Sequence, residues 1–246
     1  MTLPPLEGRA PVLFVDFDGT ITERDCIVAI MEAFAPPGWE AIKDAILARR
    51  ISVRQGVGEL FALLPSAKRD EIAAFVCQTT RIRTGFDRFV DYAAARGVDW
   101  YVTSGGIDFF VYPLLAPYRI PRERIYCNGS DVSGERIRIT WPHPCDKACE
   151  SDCGLCKASI IRRFDPARHY RIVVGDSVTD LAGAQLADLV IAREYLLERC
   201  RELGLPHVPF ATFDDVVAVL ERLLSAEPAP CPTGRGEEGE QWGAER

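Results

Sequence analysis

Four short stretches of this chain carry residue types that could hold a metal ion or an anion. The first is Asp16-Phe17-Asp18-Gly19-Thr20, which follows the apolar run Val12-Leu13-Phe14-Val15. Carboxylates two residues apart in extended chain point to one side. Held that close they repel, burial worsens the repulsion, and a bound divalent cation relieves it. Gly19 permits a sharp turn, and Thr20 and Thr22 can hydrogen-bond nearby groups. An isolated motif of this kind can also be a solvated turn at a strand end. The second stretch is Thr103-Ser104-Gly105-Gly106 after Trp100-Tyr101-Val102, where a hydroxyl and bare backbone N–H groups could cradle an anion. The third is Gly175-Asp176-Ser177-Val178-Thr179-Asp180 after an apolar run, which adds two carboxylates. The fourth is Lys157 at the head of Ala158-Ser159-Ile160-Ile161, where an ammonium and a helix start both favour negative charge.

These stretches need a frame that brings them together. Short apolar runs entering Asp16, Thr103 and Asp176 read as buried parallel strands. Parallel strands place their C-terminal ends side by side, so the stretches should meet at one crevice. Between residues 24 and 80 no strand pattern interrupts a helical one. Asp25, Ser52 and Ser66 are candidate N-caps there, and Pro36-Pro37-Gly38 and Pro65 are breaks. From Gly85 onward strands and helices alternate. Phe86–Arg96, closed by Gly97, and Phe213–Leu224 read as amphipathic helices, and 158–164 and 180–187 as further helices. The expected fold is α/β: a doubly wound, mainly parallel Rossmann-like sheet with a small helical insertion. Residues 10–22 and 84–225 would form the core and 23–83 the helical cap. Residues 226–246, rich in Pro, Gly and Glu, would form a disordered tail.

Composition narrows the partners. The chain has 246 residues, 48% hydrophobic and 26% charged, an ordinary balance for a folded protein. Its net charge of −7 argues against nucleic acid or an anionic membrane surface as partner. No apolar run approaches a membrane span, and the N-terminus lacks a secretory pattern, so the expected location is the cytoplasm. Nine cysteines is an odd number, and stable disulfides are uncommon in that compartment. Cys26, Cys77, Cys127 and Cys200 read as small buried residues.

Cys145, Cys149, Cys153 and Cys156 differ, because they crowd into twelve residues just before Lys157, with His143 upstream. Soft thiolates at these spacings suit a structural Zn²⁺ in a closed tetrahedral site. Free or redox-active thiols and disulfides are the alternatives. His143 reads as a loop residue if all four thiols bind, and His169 and His207 as structural. Whatever they hold, the cysteines could clamp the start of the Lys157 helix.

Taken jointly, Asp16–Thr22, Thr103–Gly106, Lys157 and Gly175–Asp180 resemble the four ordered motifs of the haloacid dehalogenase superfamily. The helical insertion after the first motif resembles the phosphoserine-phosphatase-like branch. Over about residues 10–222, including FAPPGW, TSGGIDFFVYPLL, WPHPC and AREYLL, the chain is similar to enol-phosphate phosphatases of methionine salvage. The resemblance implies a phosphoric monoester hydrolase for a small phosphorylated molecule. Asp16 would be the nucleophile and Asp18 the general acid and base. Mg²⁺ would sit between Asp16, the Asp18 carbonyl and Asp176, with Asp180 orienting that set. Ser104, the Gly105 and Gly106 amides and Lys157 would hold phosphate oxygens. It also allows a homodimer. Met31, Phe34, Phe61, Phe109 and Phe110 are candidates to meet an apolar thioether tail, or simply core. Glu23 and Arg24 could meet the polar end of the substrate, or form a surface charge pair. Two other readings stand beside this one: a phosphatase for phosphoserine, phosphocholine or a similar ester, and a zinc-dependent binding or redox module with a vestigial site.

Overall fold

The apolar run at 12–15 forms the central strand of a seven-stranded sheet. The computed structural model describes residues 3–225, so the disorder expected for 226–246 lies outside the described residues. The strands are β1 (Ala10–Val15), β2 (Asp99–Ile107), β3 (Ile125–Asp131), β4 (Arg138–Thr140), β5 (His169–Gly175), β6 (Leu189–Ala192) and β7 (His207–Pro209), in the order β4-β3-β2-β1-β5-β6-β7. All pairings are parallel except β3 with β4. The expected α/β class and mainly parallel sheet are what the chain adopts.

Register explains why the motifs meet. Val15 lies opposite Val102 of β2 and Val174 of β5. The residues that follow these three, Asp16, Thr103-Ser104 and Gly175-Asp176, therefore lie side by side at one level of the sheet. The strand order reverses at β1, which is where open α/β sheets form their crevice.

Side-chain alternation in β1 feeds two cores. Leu13 and Val15 join one buried cluster with Val102, Ile172, Val174 and Ile191, while Val12 and Phe14 join another with Ile160, Ile161, Val173 and Val190. Asp16 continues the parity of Val12 and Phe14, towards the face that carries the Lys157 helix.

Between β1 and β2 the chain runs through α1 (Cys26–Phe34), α2 (Trp39–Leu47), α3 (Val53–Ala62), α4 (Arg69–Thr79) and α5 (Phe86–Arg96). Asp25 caps α1 by accepting from the Val28 N–H, and Ser52 caps α3 by accepting from the Gln55 N–H. Ser66 does not cap: residues 66–68 form a 3₁₀ turn, α4 begins at Arg69, and the Ser66 hydroxyl is buried without a partner. After β2 come α6 (Asp108–Leu115), α7 (Lys157–Ile161), α8 (Leu181–Ala184), α9 (Glu194–Leu203) and α10 (Phe213–Ser225). Helix α7 is shorter than its sequence suggests. The N–H groups of Arg163 and Phe164 bond to carbonyls three residues back, and Phe164 turns in to pack on Phe14 and Tyr101. Helix α9 and strand β7 complete the sheet edge without having been expected. Cys26, Cys127 and Cys200 are buried as expected, but Cys77 is exposed on α4. No helix among the described residues is long and apolar enough to cross a membrane.

An aromatic cluster fastens α5 and α10 to β2. Phe213 lies 4.9 Å from Phe86 and 5.3 Å from Phe89, and Phe89 lies 5.1 Å from Trp100. Phe213 is fully buried. Phe213→Ala should cost about 3–5 kcal/mol, the usual loss for a buried Phe truncated in a core that cannot collapse. Urea unfolding checks this, and a loss below about 1 kcal/mol would mean the cluster does not hold these helices.

Candidate functional site

Asp16 stands at the end of β1 with extended backbone, its N–H bonded to the Val174 carbonyl. Lys157 reaches it from the first residue of α7. The ammonium lies 2.5 Å from Asp16 Oδ1 and 2.5 Å from Asp180 Oδ1, and all three side chains are at most 5% exposed. Carboxylate oxygens of Asp16, Asp176 and Asp180 lie within 4.8 Å of one another. Asp16 of the first motif, both acids of the third and the predicted lysine thus form one cluster.

Each acid is held differently. Asp180 is fully engaged: Oδ1 takes the lysine, and Oδ2 accepts from the Asp176 and Ser177 N–H groups at 3.2 and 3.0 Å. Asp176 Oδ1 accepts from the Thr20 hydroxyl at 2.7 Å. Two glycines make room for these acids. A Cβ on Gly19, whose φ is +82°, would lie 2.5 Å from Asp176 Oδ2, and one on Gly175 would lie 2.5 Å from Asp180 Cγ.

Burial, then the neighbouring Asp180, pushes the Asp16 carboxyl well above its ordinary value, with Lys157 opposing. Burial and Asp180 also raise Asp176. For Lys157, burial alone would lower the ammonium, but Asp16 and Asp180 outweigh it and hold the group charged. Three carboxylates against one ammonium leave two negative charges in a buried place. A divalent cation would cancel them, so the residues present fit one.

Asp18 sits apart from the lysine contact. Its Oδ1 accepts from the Cys26 N–H at 2.9 Å. It keeps some exposed surface, yet desolvation of its carboxyl, with the nearby Asp25, lifts it to about 7. The second motif lies beside it. A Cβ on Gly106 would come within 2.9 Å of both Asp18 Oδ2 and Ser104 Oγ, so a side chain there would have to displace them. The Gly106 N–H donates to Ser104 Oγ at 2.9 Å. The amide expected to hold phosphate is therefore engaged with the serine in this structure. Gly105 is exposed, and Asn128 Nδ2 holds its carbonyl at 2.7 Å.

Arg83 completes the site and carried no motif. It is 8% exposed, and its guanidinium donates to the carbonyls of Thr20 at 2.7 Å, Gly19 at 2.7 Å and Thr22 at 3.1 Å. The fork of one arginine thus fixes the loop that follows Asp18. Its sequence neighbours, Ile82 and Thr84, offer no spacing signal.

The remaining candidates sort by burial. Met31, Phe61, Phe109 and Phe110 pack in the core, with Phe61 and Phe109 edge to face at 6.0 Å. Phe34 is half-buried against Phe75 at 5.7 Å. Arg24 pairs with Glu32 at 3.2 Å on the surface. A cavity of about 610 Å³ lies between α1 and α4, lined by Glu23, Arg24, Asp25, Phe75, Thr80 and Arg81. Neither Asp16, Ser104 nor Lys157 lines it. His143 packs on Tyr126, His169 on Phe164, and His207 bonds to the Leu205 carbonyl. The sulfurs of Cys145, Cys149, Cys153 and Cys156 gather within 4.8 Å of one another at the head of α7.

Comparison with known proteins places this geometry in a family. The pattern of the haloacid dehalogenase-like hydrolases matches residues 13–185. A 2-hydroxy-3-keto-5-methylthiopentenyl-1-phosphate phosphatase of Geobacillus kaustophilus is 60% identical over 212 residues, covering 86% of this chain and 96% of that protein. A phosphatase of the same name from Brevibacillus brevis is 58% identical over the same shares. The solved phosphoserine phosphohydrolase-like protein of Francisella tularensis superposes with a TM-score of 0.61 at 20% identity, covering 86% of this chain and 99% of that one. Its likeness is one of fold. The chain belongs to the haloacid dehalogenase-like hydrolase family and is a phosphoric monoester hydrolase.

Proposed function

We propose that the protein is a Mg²⁺-dependent phosphatase that hydrolyses 2-hydroxy-3-keto-5-methylthiopentenyl 1-phosphate in methionine salvage, through an aspartyl-phosphate on Asp16. The observation that carries the chemistry is the pair of acids in unlike settings: Asp16 against the Lys157 ammonium, and Asp18 turned away from it with a carboxyl near neutrality. The substrate rests on the likeness to the 60% identical Geobacillus kaustophilus phosphatase, of which the chain covers nearly the whole length.

In this reading Asp16 attacks phosphorus, and the P–O bond to the substrate breaks as the bond to Asp16 Oδ forms. Lys157 holds phosphate oxygens and spreads the charge of the in-line transition state. The Ser104 hydroxyl accepts from Gly106, which leaves its own proton to donate to a phosphate oxygen. The exposed Gly105 amide is the second donor of that loop. Asp16, the Asp18 carbonyl and Asp176 would hold Mg²⁺, which supplies charge neutralisation at the phosphate. Asp180 keeps Lys157 and the Asp176 backbone in place. Residues 23–83 act as the cap over this crevice.

Asp18 then serves both half-reactions. It gives a proton to the leaving oxygen and takes one from the water that hydrolyses the Asp16 phosphate ester. A carboxyl near 7 suits both duties. The leaving group here is an enolate conjugated to a ketone, which departs more easily than an alkoxide. The acid duty is therefore lighter than the base duty.

Three outcomes test the reading. A phosphate-release panel with and without Mg²⁺ should favour the enol phosphate over phosphoserine and phosphocholine by at least about 100-fold in kcat/KM. Comparable rates on all three would replace it with a general phosphatase. In rapid-quench kinetics Asp18→Asn should keep a stoichiometric burst of the enol product while steady turnover falls by about 100-fold or more. Absence of the burst would show that acid catalysis limits the first step instead. A raised carboxyl is protonated, and useless as a base, below its value. The wild-type kcat should therefore fall as pH drops through about 7, and the Asp18→Asn profile should lose that limb. An unchanged limb in the variant would assign it to another group.

A further inference from the structure

Residues 141–156 form a 16-residue connection without helix or strand. A connection that long needs something to hold it, and it adds only Gly154, Leu155 and Cys156 to the buried set. What it does contain is four cysteines whose sulfurs all lie within 4.8 Å of one another. None is in a disulfide, and Cys149 and Cys153 are 3.9 Å apart, nearly twice a disulfide bond. Four sulfurs at about 2.3 Å from a tetrahedral zinc ion lie about 3.8 Å from each other. Two sulfurs also accept backbone hydrogen bonds of the kind that orient metal-bound thiolates. Cys153 N–H donates to Cys145 Sγ, and Ser159 N–H donates to Cys156 Sγ, each at 3.4 Å. Gly154, with φ of +79°, lets the chain turn between Cys153 and Cys156.

The surroundings say what such an ion would fasten. Cys156 is the N-cap of α7, and the next residue is Lys157. The loop is sewn to the same helix by Ser159 Oγ on the Pro144 carbonyl at 3.3 Å and by a two-pronged Arg162–Asp146 pair. On its other side Asp152, between Cys149 and Cys153, meets the start of α3 in the helical insertion. Its carboxylate accepts from Ser52 Oγ at 2.6 Å and Arg54 Nη1 at 3.3 Å, and its carbonyl accepts from the Arg54 N–H at 3.2 Å. Arg54 also lies over the Trp141 ring.

We propose that Cys145, Cys149, Cys153 and Cys156 bind one structural zinc ion that ties the helical insertion to the start of the Lys157 helix. The four thiols bind as thiolates and release their protons to solvent, with no change of oxidation state. All four positions of the ion are filled by protein, so it takes no part in the hydrolysis. Its effect on turnover is through the placement of Lys157 and of α3.

Elemental analysis of the full-length protein, purified under reducing conditions without chelator, should give about one zinc per chain, and X-ray absorption should give four sulfurs at about 2.3 Å. Cys149→Ser and Cys153→Ser should each lose most of the zinc. If either variant fails to fold, chelator stripping of the wild type supplies the same comparison. The stripped protein should unfold at lower temperature and lose about tenfold or more of its Mg²⁺-saturated kcat, both restored by Zn²⁺ and not by further Mg²⁺. Zinc content is read without any substrate, so it stands or falls separately from the assigned phosphatase reaction. A wild-type protein with under about a tenth of a zinc per chain and no uptake of added Zn²⁺ overturns the proposal, whether its thiols titrate as free or its mass shows disulfides.

Discussion

The placement of Lys157 between Asp16 and Asp180 is the constraint on which the rest of the site depends. An ammonium at 5% exposure is costly to bury alone, and so is each carboxylate beside it. Together they can be buried, but only with the geometry fixed from several directions. The strand register fixes Asp16, the 3₁₀ turn at Val178–Asp180 fixes Asp180, and the Cys156 cap fixes where the lysine begins its helix. Removing any one partner would leave a buried charge uncompensated, which costs more than the pair contributes to stability.

The same cluster explains why the site invites a metal and a phosphate. One ammonium does not balance three acids, and burial, with the neighbouring Asp180 second, raises the carboxyls of Asp16 and Asp176. Asp18 is removed from the cluster by one turn of backbone that Arg83 and Gly19 hold. Two carboxylates two residues apart thus sit in unlike surroundings, one against the ammonium and one on the Cys26 N–H.

Much of this was legible before the fold was known. Apolar runs ending in acids are hard to read as anything but strands entering a crevice, and their parallel register follows from topology. The cysteine spacing announced a cluster at Lys157. The rest was hidden for identifiable reasons. Arg83 acts on backbone carbonyls 61 to 64 residues away, and carbonyls have no sequence signature. Ser66 has the right residue type for a cap, but its N–H is taken by the Glu135 carbonyl and the chain makes a 3₁₀ turn first. Gly106 could donate to a phosphate by composition, yet the neighbouring Ser104 oxygen is the nearer acceptor. The apolar candidates for substrate contact were ambiguous in sequence because core and binding surfaces use the same residues, and four of the five, Met31, Phe61, Phe109 and Phe110, are core.

The central claim is that the Asp16 carboxylate, held by Lys157, is the atom group that takes the phosphoryl group. Mass spectrometry of acid-quenched Asp18→Asn protein, caught during turnover with Mg²⁺ and the enol phosphate, tests it most directly. One phosphoryl group should appear on the peptide that spans Asp16, and it should vanish in the Asp16→Asn, Asp18→Asn double variant. A phosphoryl group on another residue, or product formation with Asp16 never labelled, would contradict the account.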